Sequence, residues 1–386
     1  MRHLVCALLL LSASSLAAQP RVAPPAVGLG FGVDTADADV AAVVRLVRVY
    51  LASAGDSAAA RRLWSTRDPA DRRWGDLARF YAYQGFPATI AGVIAAAPGD
   101  SVYLVKLLHA RADDDGTVDP MALQRLYAVR EPDAPHGWRL SNAVGRLTRG
   151  WPTRTVGRIA FHYAPGRTHD AERATRAARF VDSTAALFDV PVPERIDYFV
   201  TGSPDEYFRA IGLDFFPLPS GRGQASGGNA IVQAGVVLAG DPAQGEAYLH
   251  EIAHVILGRR YGGAVVGEGI AAWLGGSRGR APRELWRLLA DYQRAHPDVT
   301  LDMLVRGELP DGWGAAESDA MYATGSLFVE HVHRRGGAAA LRALDGAQFA
   351  GDDAALAAMR THLGLAAEPD ALDAWWRRAA AEAARE

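Results

Sequence analysis

The stretch His250-Glu251-Ile252-Ala253-His254, followed fourteen positions later by Glu268, restricts how this part of the chain can fold. On a helix, positions i and i+4 differ by about 40° in azimuth, so both imidazoles leave one face and can share one tetrahedral ion. The run from Glu246 to Gly258 supports a helix: it is apolar at helical spacing and ends on a glycine, where a helix would stop. Two histidines on one turn and a carboxylate on the next segment form a ligand set for zinc. Such a set leaves a fourth position for water, whose pKa falls to about 7. The expected ligands of one Zn2+ per chain are therefore His250, His254 and Glu268, with Glu251 as the base that takes the water's proton. The bland alternative is an amphipathic helix whose histidines are packing or surface residues.

Three stretches together resemble the gluzincin metallopeptidases, especially the peptidase MA-like domains related to the zinc aminopeptidase branch. The first is the helix just described. The second is Gly267-Glu268-Gly269-Ile270-Ala271, which fits the branch's N-E-G-[FIL]-A stretch with glycine in place of asparagine. The third is Met321-Tyr322-Ala323-Thr324-Gly325-Ser326, which looks like its Y-x-x-G-[AS] stretch. The resemblance spans roughly residues 155 to 386 and implies a sheet followed by a helical half. It also implies that Tyr322 hydrogen-bonds the developing oxyanion and that the substrate is a peptide or protein. The chain departs from that pattern in three ways. The gap from His254 to Glu268 is shorter than in the aminopeptidases, and no G-x-M-E-N stretch that grips a free N-terminal amine precedes His250, so endopeptidase action is expected. Thermolysin-like relatives carry an Asp four residues after the third ligand to orient a histidine; here that position is Ala272, and the sequence names no substitute.

Composition removes several chemistries. Cys6 is the only cysteine and Lys106 the only lysine. Cys6 lies in a segment that reads as a secretory signal peptide: Met1-Arg2-His3, an apolar run Leu4 to Leu11, then small residues with Ser15-Leu16-Ala17 as the cleavage site. The mature chain is thus expected to be exported, periplasmic or extracellular, without disulfide, thiol nucleophile or thiolate ligand. The apolar run is too short to span a bilayer, and no later segment reaches that length, so no stable membrane span is expected in the mature chain. A net charge of -3 gives no basic field for nucleic acid.

The fold class expected is α+β, in two domains. After the signal (1–17) and a Pro-rich leader (18–29), residues 30–150 read as helices at 41–54, 57–65 and 71–83, then strands at 88–94, 101–112, 121–130 and 137–144. Helices followed by a meander look like the nuclear-transport-factor-like cone; a spacer with no pocket is the alternative. Gly150-Trp151-Pro152 marks the boundary. Beyond it, strands are expected at 156–163, 196–200 and 230–239, with helices at 171–188 and 204–211. After Trp273 come helices at 282–295, 301–306, 320–335, 338–344, 353–363 and 369–384. The resemblance to the gluzincin peptidases implies that the 230–239 strand forms the edge of a substrate cleft.

Two rival functions remain open. Gly275-Gly276-Ser277-Arg278-Gly279 matches the G-x-S-x-G nucleophile elbow of serine hydrolases, although the segment entering it reads as helical where the elbow needs a strand. A secreted ligand-binding protein with a structural or inactive zinc site is the other. His331 and His333 read as packing or surface residues, and Trp375-Trp376 as packing of the last helix.

Overall fold

The computed structural model describes residues 27–53, 57–78, 86–96, 101–112, 116, 118–216, 227–263, 265–310, 312–365, 368 and 370–385. The expected signal peptide, most of the leader and most of the 217–228 loop lie outside these residues. Helices take 51 % and strands 19 % of the structure, which is of the α+β class. The chain divides into two units, one of Gln19–Pro152 with Asp205–Pro217, the other of Thr153–Pro204 with Leu218–Glu386. One break between the units follows Pro152, and residues 205–217 return to the first unit.

In the N-terminal unit, Asp37 caps the helix Ala38–Ala52 by accepting from the Asp39 and Val40 amides. The apolar face of that helix, with Val43, Leu46, Val47 and Tyr50, shares a core with Ile90, Val105, Leu107, Leu126 and Trp138 of the sheet. The sheet is a meander of Ala88–Ala95, Val102–Ala112, Val118–Arg130 and Trp138–Ser141, all pairs antiparallel. Gly28–Leu29 joins it in parallel at one edge, and Leu213–Phe215 pairs with the 118–130 strand. Two expectations change. The last strand ends at Ser141 rather than 144, because Asn142 caps a short helix, Ala143–Leu147, accepting from the Gly145 amide at 2.8 Å. The helix expected at 71–83 is Pro69–Trp74, closed by Gly75 at φ +55; residues 79–85 are outside the described set.

The other unit begins with a five-stranded sheet in the order Gly228–Ile231, Val236–Ala239, Ile196–Val200, Ile159–Tyr163, Thr153–Val156. The three central strands are parallel and buried along their whole length, and the two outer strands are antiparallel edges. The crossover helix Ala171–Phe188 starts at the Asp170 cap and stops at Asp189 in the left-handed region, as its apolar spacing predicts. Two expected strands are hairpins instead. The 156–163 run turns at Gly157 (φ +57), and the 230–239 run turns through Val232–Ala234 and Gly235 (φ +63), so the sheet edge is Gly228–Ile231 alone.

The remainder is helical, around one core that includes Ile270, Leu285, Leu289, Phe328 and Trp376. The helices expected at 320–335 and 338–344 both form within the span Ala315–Arg342, separated by Gly337, whose φ of +59 is not helical. Two fully buried hydroxyls of the first run are satisfied by indoles: Trp376 donates to Thr324 at 2.8 Å and Trp286 to Ser326 at 3.1 Å. Leaving such hydroxyls unpaired would cost about 1–3 kcal/mol each, so these bonds fix the helix's rotation. Among the described residues, no helix is long and apolar enough to cross a membrane.

Candidate metal centre

The helix Leu249–Leu257, which carries both histidines, starts without a side-chain cap. A tyrosine from the sheet serves instead: the Tyr198 hydroxyl donates to the Gly245 carbonyl at 2.6 Å and accepts from the Tyr248 amide at 3.1 Å. Buried Glu246 holds the preceding turn by accepting from the Tyr163 hydroxyl at 3.1 Å and the Asp170 amide at 2.7 Å. The helix closes at Gly258, and the chain turns through Tyr261–Gly263 into the helix Val266–Gly275, which carries Glu268.

A Cβ at Gly267 would lie 2.7 Å from the Tyr261 carbonyl oxygen, so no larger residue fits there. A second close approach brings in Tyr322. The Glu268 and Tyr322 helices cross where Gly269 meets Gly325, and a Cβ on Gly269 would come within 2.6 Å of the Gly325 carbonyl carbon. One turn before that crossing, the Tyr322 ring stands edge-on to the His250 imidazole, with centroids 5.6 Å apart and planes at 88°.

His250 Nε2 and His254 Nε2 lie 3.2 Å apart, and Glu268 Oε2 is 3.1 Å from the first and 3.3 Å from the second. Among the described residues this is the one cluster of three possible ligands, each offering one atom within 4.8 Å of the others. Its donor set fits a divalent cation of zinc's preference: two imidazole nitrogens and one carboxylate oxygen converge, and no thiolate is needed. The fit extends outward. His250 Nδ1 donates to the Gly276 carbonyl at 2.8 Å, so in its neutral form His250 would turn the Nε2 lone pair toward a metal held with Glu268 and His254. This backbone oxygen, at the end of the Glu268 helix, supplies the orienting partner that Ala272 cannot.

Without a metal the cluster is tightly coupled. Burial alone would raise the Glu268 carboxyl, but His254 and the hydrogen bonds from both imidazoles outweigh it and hold the group well below the usual range. Burial would likewise depress the His254 imidazolium, yet Glu268, with Glu251 beyond it, raises it to about 9. Glu251 is buried, which pushes its carboxyl up against the opposing pull of His250 and His254. Burial, and then the Glu268 charge, push the Tyr322 hydroxyl well above its ordinary value, so it stays protonated and can donate.

The other candidates do not join the cluster. His331 packs on Trp375 and His333 on Trp273, with centroids 5.8 and 5.1 Å apart. Ser277 is buried in a tight turn that a helix enters, its amide bonded to the Arg280 carbonyl at 3.1 Å and its carbonyl to the Arg280 amide at 2.9 Å. The strand-in, helix-out setting of a nucleophile elbow is therefore not present. Sequence reading missed Tyr198, Glu246 and the Gly276 carbonyl; only the Gly275-Gly276 pair, a helix stop just after the third ligand, hinted at the last. No protein-family model matches the chain, and no curated protein matches it.

Proposed function

We propose that this chain is an exported zinc-dependent peptidase whose second unit is a gluzincin-like domain, acting as an endopeptidase. The observation that carries the reading is the convergence of His250, His254 and Glu268 beside a buried Glu251 and a protonated Tyr322. His250, His254 and Glu268 would hold one zinc. When bound, zinc supplies a Lewis acid that acidifies water and polarises a carbonyl. Glu251, its carboxyl raised by burial, accepts the proton of the attacking water and delivers it to the leaving amine. Tyr322 donates its hydroxyl hydrogen to the oxyanion of the tetrahedral species. The Gly276 carbonyl keeps His250 in the ligating tautomer.

The edge strand Gly228–Ile231 supports peptide binding. It stands at one end of the sheet order among the described residues, the position at which an extended peptide adds to a sheet. It also lies against the start of the histidine helix, since a Cβ on Gly228 would come within 2.4 Å of the Tyr248 ring. The helices-then-meander order of the N-terminal unit supports a nuclear-transport-factor-like cone, and residues 1–17 support export. Elemental analysis of the wild type and His254→Ala tests the metal. About one zinc per chain is expected in the first and a large loss in the second; equal zinc in both removes the site.

A further inference from the structure

Immediately after the Glu268 helix, the turn Gly276-Ser277-Arg278-Gly279-Arg280 holds Arg278 at φ +50, in the left-handed region. A residue with a Cβ is strained there, and the two backbone bonds between Ser277 and Arg280 keep it in place. The strained turn directs a half-buried guanidinium over the Tyr322 ring, with its central carbon 5.9 Å from the centroid. Nη1 of Arg278 meets Oδ1 of Asp319 at 3.2 Å, and Arg280 takes the other oxygen, Oδ2, at 2.5 Å. Asp319 lies three residues before Tyr322 on the same helix and therefore on the same face. Two guanidiniums share one carboxylate, which leaves one positive charge beside the candidate metal centre.

We propose that Arg278 binds a substrate carboxylate and makes the protein selective for peptides with an acidic group close to the scissile bond. The inference rests on the peptidase reading and names its substrate class. An arginine fork can hold a carboxylate through two parallel hydrogen bonds, and Asp319 engages only one of its amino groups. One aromatic ring separates the guanidinium from the His250 imidazole. Two or three residues of extended peptide, at about 3.3–3.6 Å each, cover that span. The acidic group is therefore a side chain within three residues of the cleaved bond. Asp319 and the turn hold the fork in place before substrate arrives, which lowers the ordering cost of binding.

The test uses zinc-replete full chain, as wild type, Arg278→Ala and Arg278→Lys, on blocked peptides that differ only by Glu or Gln beside the mapped cleavage site. Wild type is expected to favour the Glu peptide by about 10- to 100-fold in kcat/KM, the worth of a charge-assisted hydrogen-bond pair. Arg278→Ala should bring that ratio to about one, and Arg278→Lys, which keeps the charge but loses the fork, should restore part of it. A wild-type ratio near one, or an alanine variant that loses rate equally on both peptides, overturns the proposal. If wild type cleaves neither peptide, the peptidase reading itself has failed. Calorimetry with the same two peptides then still reads Arg278: tighter binding of the Glu peptide that alanine abolishes supports the carboxylate site, and equal binding removes it.

Discussion

Replacing Gly269 by alanine strikes the crossing that brings Glu268 and Tyr322 together. The added Cβ would sit 2.6 Å from the Gly325 carbonyl carbon, 2.7 Å from its oxygen and 2.8 Å from its Cα, all backbone atoms that cannot rotate away. Carbon atoms rest about 3.5–4.0 Å apart, so the two helices must part locally by about 1 Å. Overpacking of this kind costs about 1–3 kcal/mol of stability. Catalysis should suffer too, because a 1 Å displacement of reacting groups costs about 10²-fold in rate. Gly150→Ala is the control: no atom lies within 4 Å of its Cβ, and its effect should stay within about 0.5 kcal/mol. Urea unfolding midpoints read the first quantity, and kcat on a blocked peptide at saturating zinc reads the second. A Gly269→Ala protein as stable and as fast as wild type would refute the reasoning, and a loss of stability with full activity would detach the crossing from the chemistry.

Tyr322→Phe should lower kcat by about 10²- to 10³-fold with zinc content and KM nearly unchanged, since the oxyanion bond strengthens only in the transition state; a fully active variant makes Tyr322 a packing residue. Zinc uptake should depend on pH. Metal-free His254 keeps its proton up to about pH 9, so binding near neutrality must displace it, and affinity should rise about tenfold per pH unit until that value, where the rise levels off. The stability of the metal-free protein should run the opposite way: His254's raised pKa contributes fully below its ordinary 6.5 and is lost as pH climbs through about 9. Competition titrations with a chelator and urea melts at several pH values check both signs.

The helix bearing His250 and His254 was legible because i, i+4 geometry is local and the Gly258 stop is a single residue. Glu268, a carboxylate on the next helix, was legible as the third member of a zinc ligand set, whereas Tyr322 needed a resemblance, since nothing local ties it to a site more than fifty residues earlier. The Gly276 carbonyl was out of reach because a backbone acceptor carries no residue identity. Tyr198 was equally hidden: it caps a helix some fifty residues away from inside a strand that reads only as apolar. In the runs 156–163 and 230–239, single glycines turn apolar stretches into hairpins that alternation alone cannot separate from one long strand. Glycine marks the break correctly further on, where Gly337 at φ +59 separates the helical runs expected at 320–335 and 338–344. The strand at Leu213–Phe215 has its partner ninety residues earlier, a pairing no window reveals.

Glu251→Gln tests the proposed chemistry most directly, because it replaces the base with a near-isostere and leaves all three ligands in place. Zinc content and the hydrolysis rate of a blocked peptide should be measured on the same preparations of wild type and variant. The expected result is equal zinc, about one per chain, with the rate reduced roughly a thousandfold or more. Undiminished hydrolysis by the glutamine variant would contradict the assignment of Glu251 as base, and with it the proposal that this cluster is a peptidase centre.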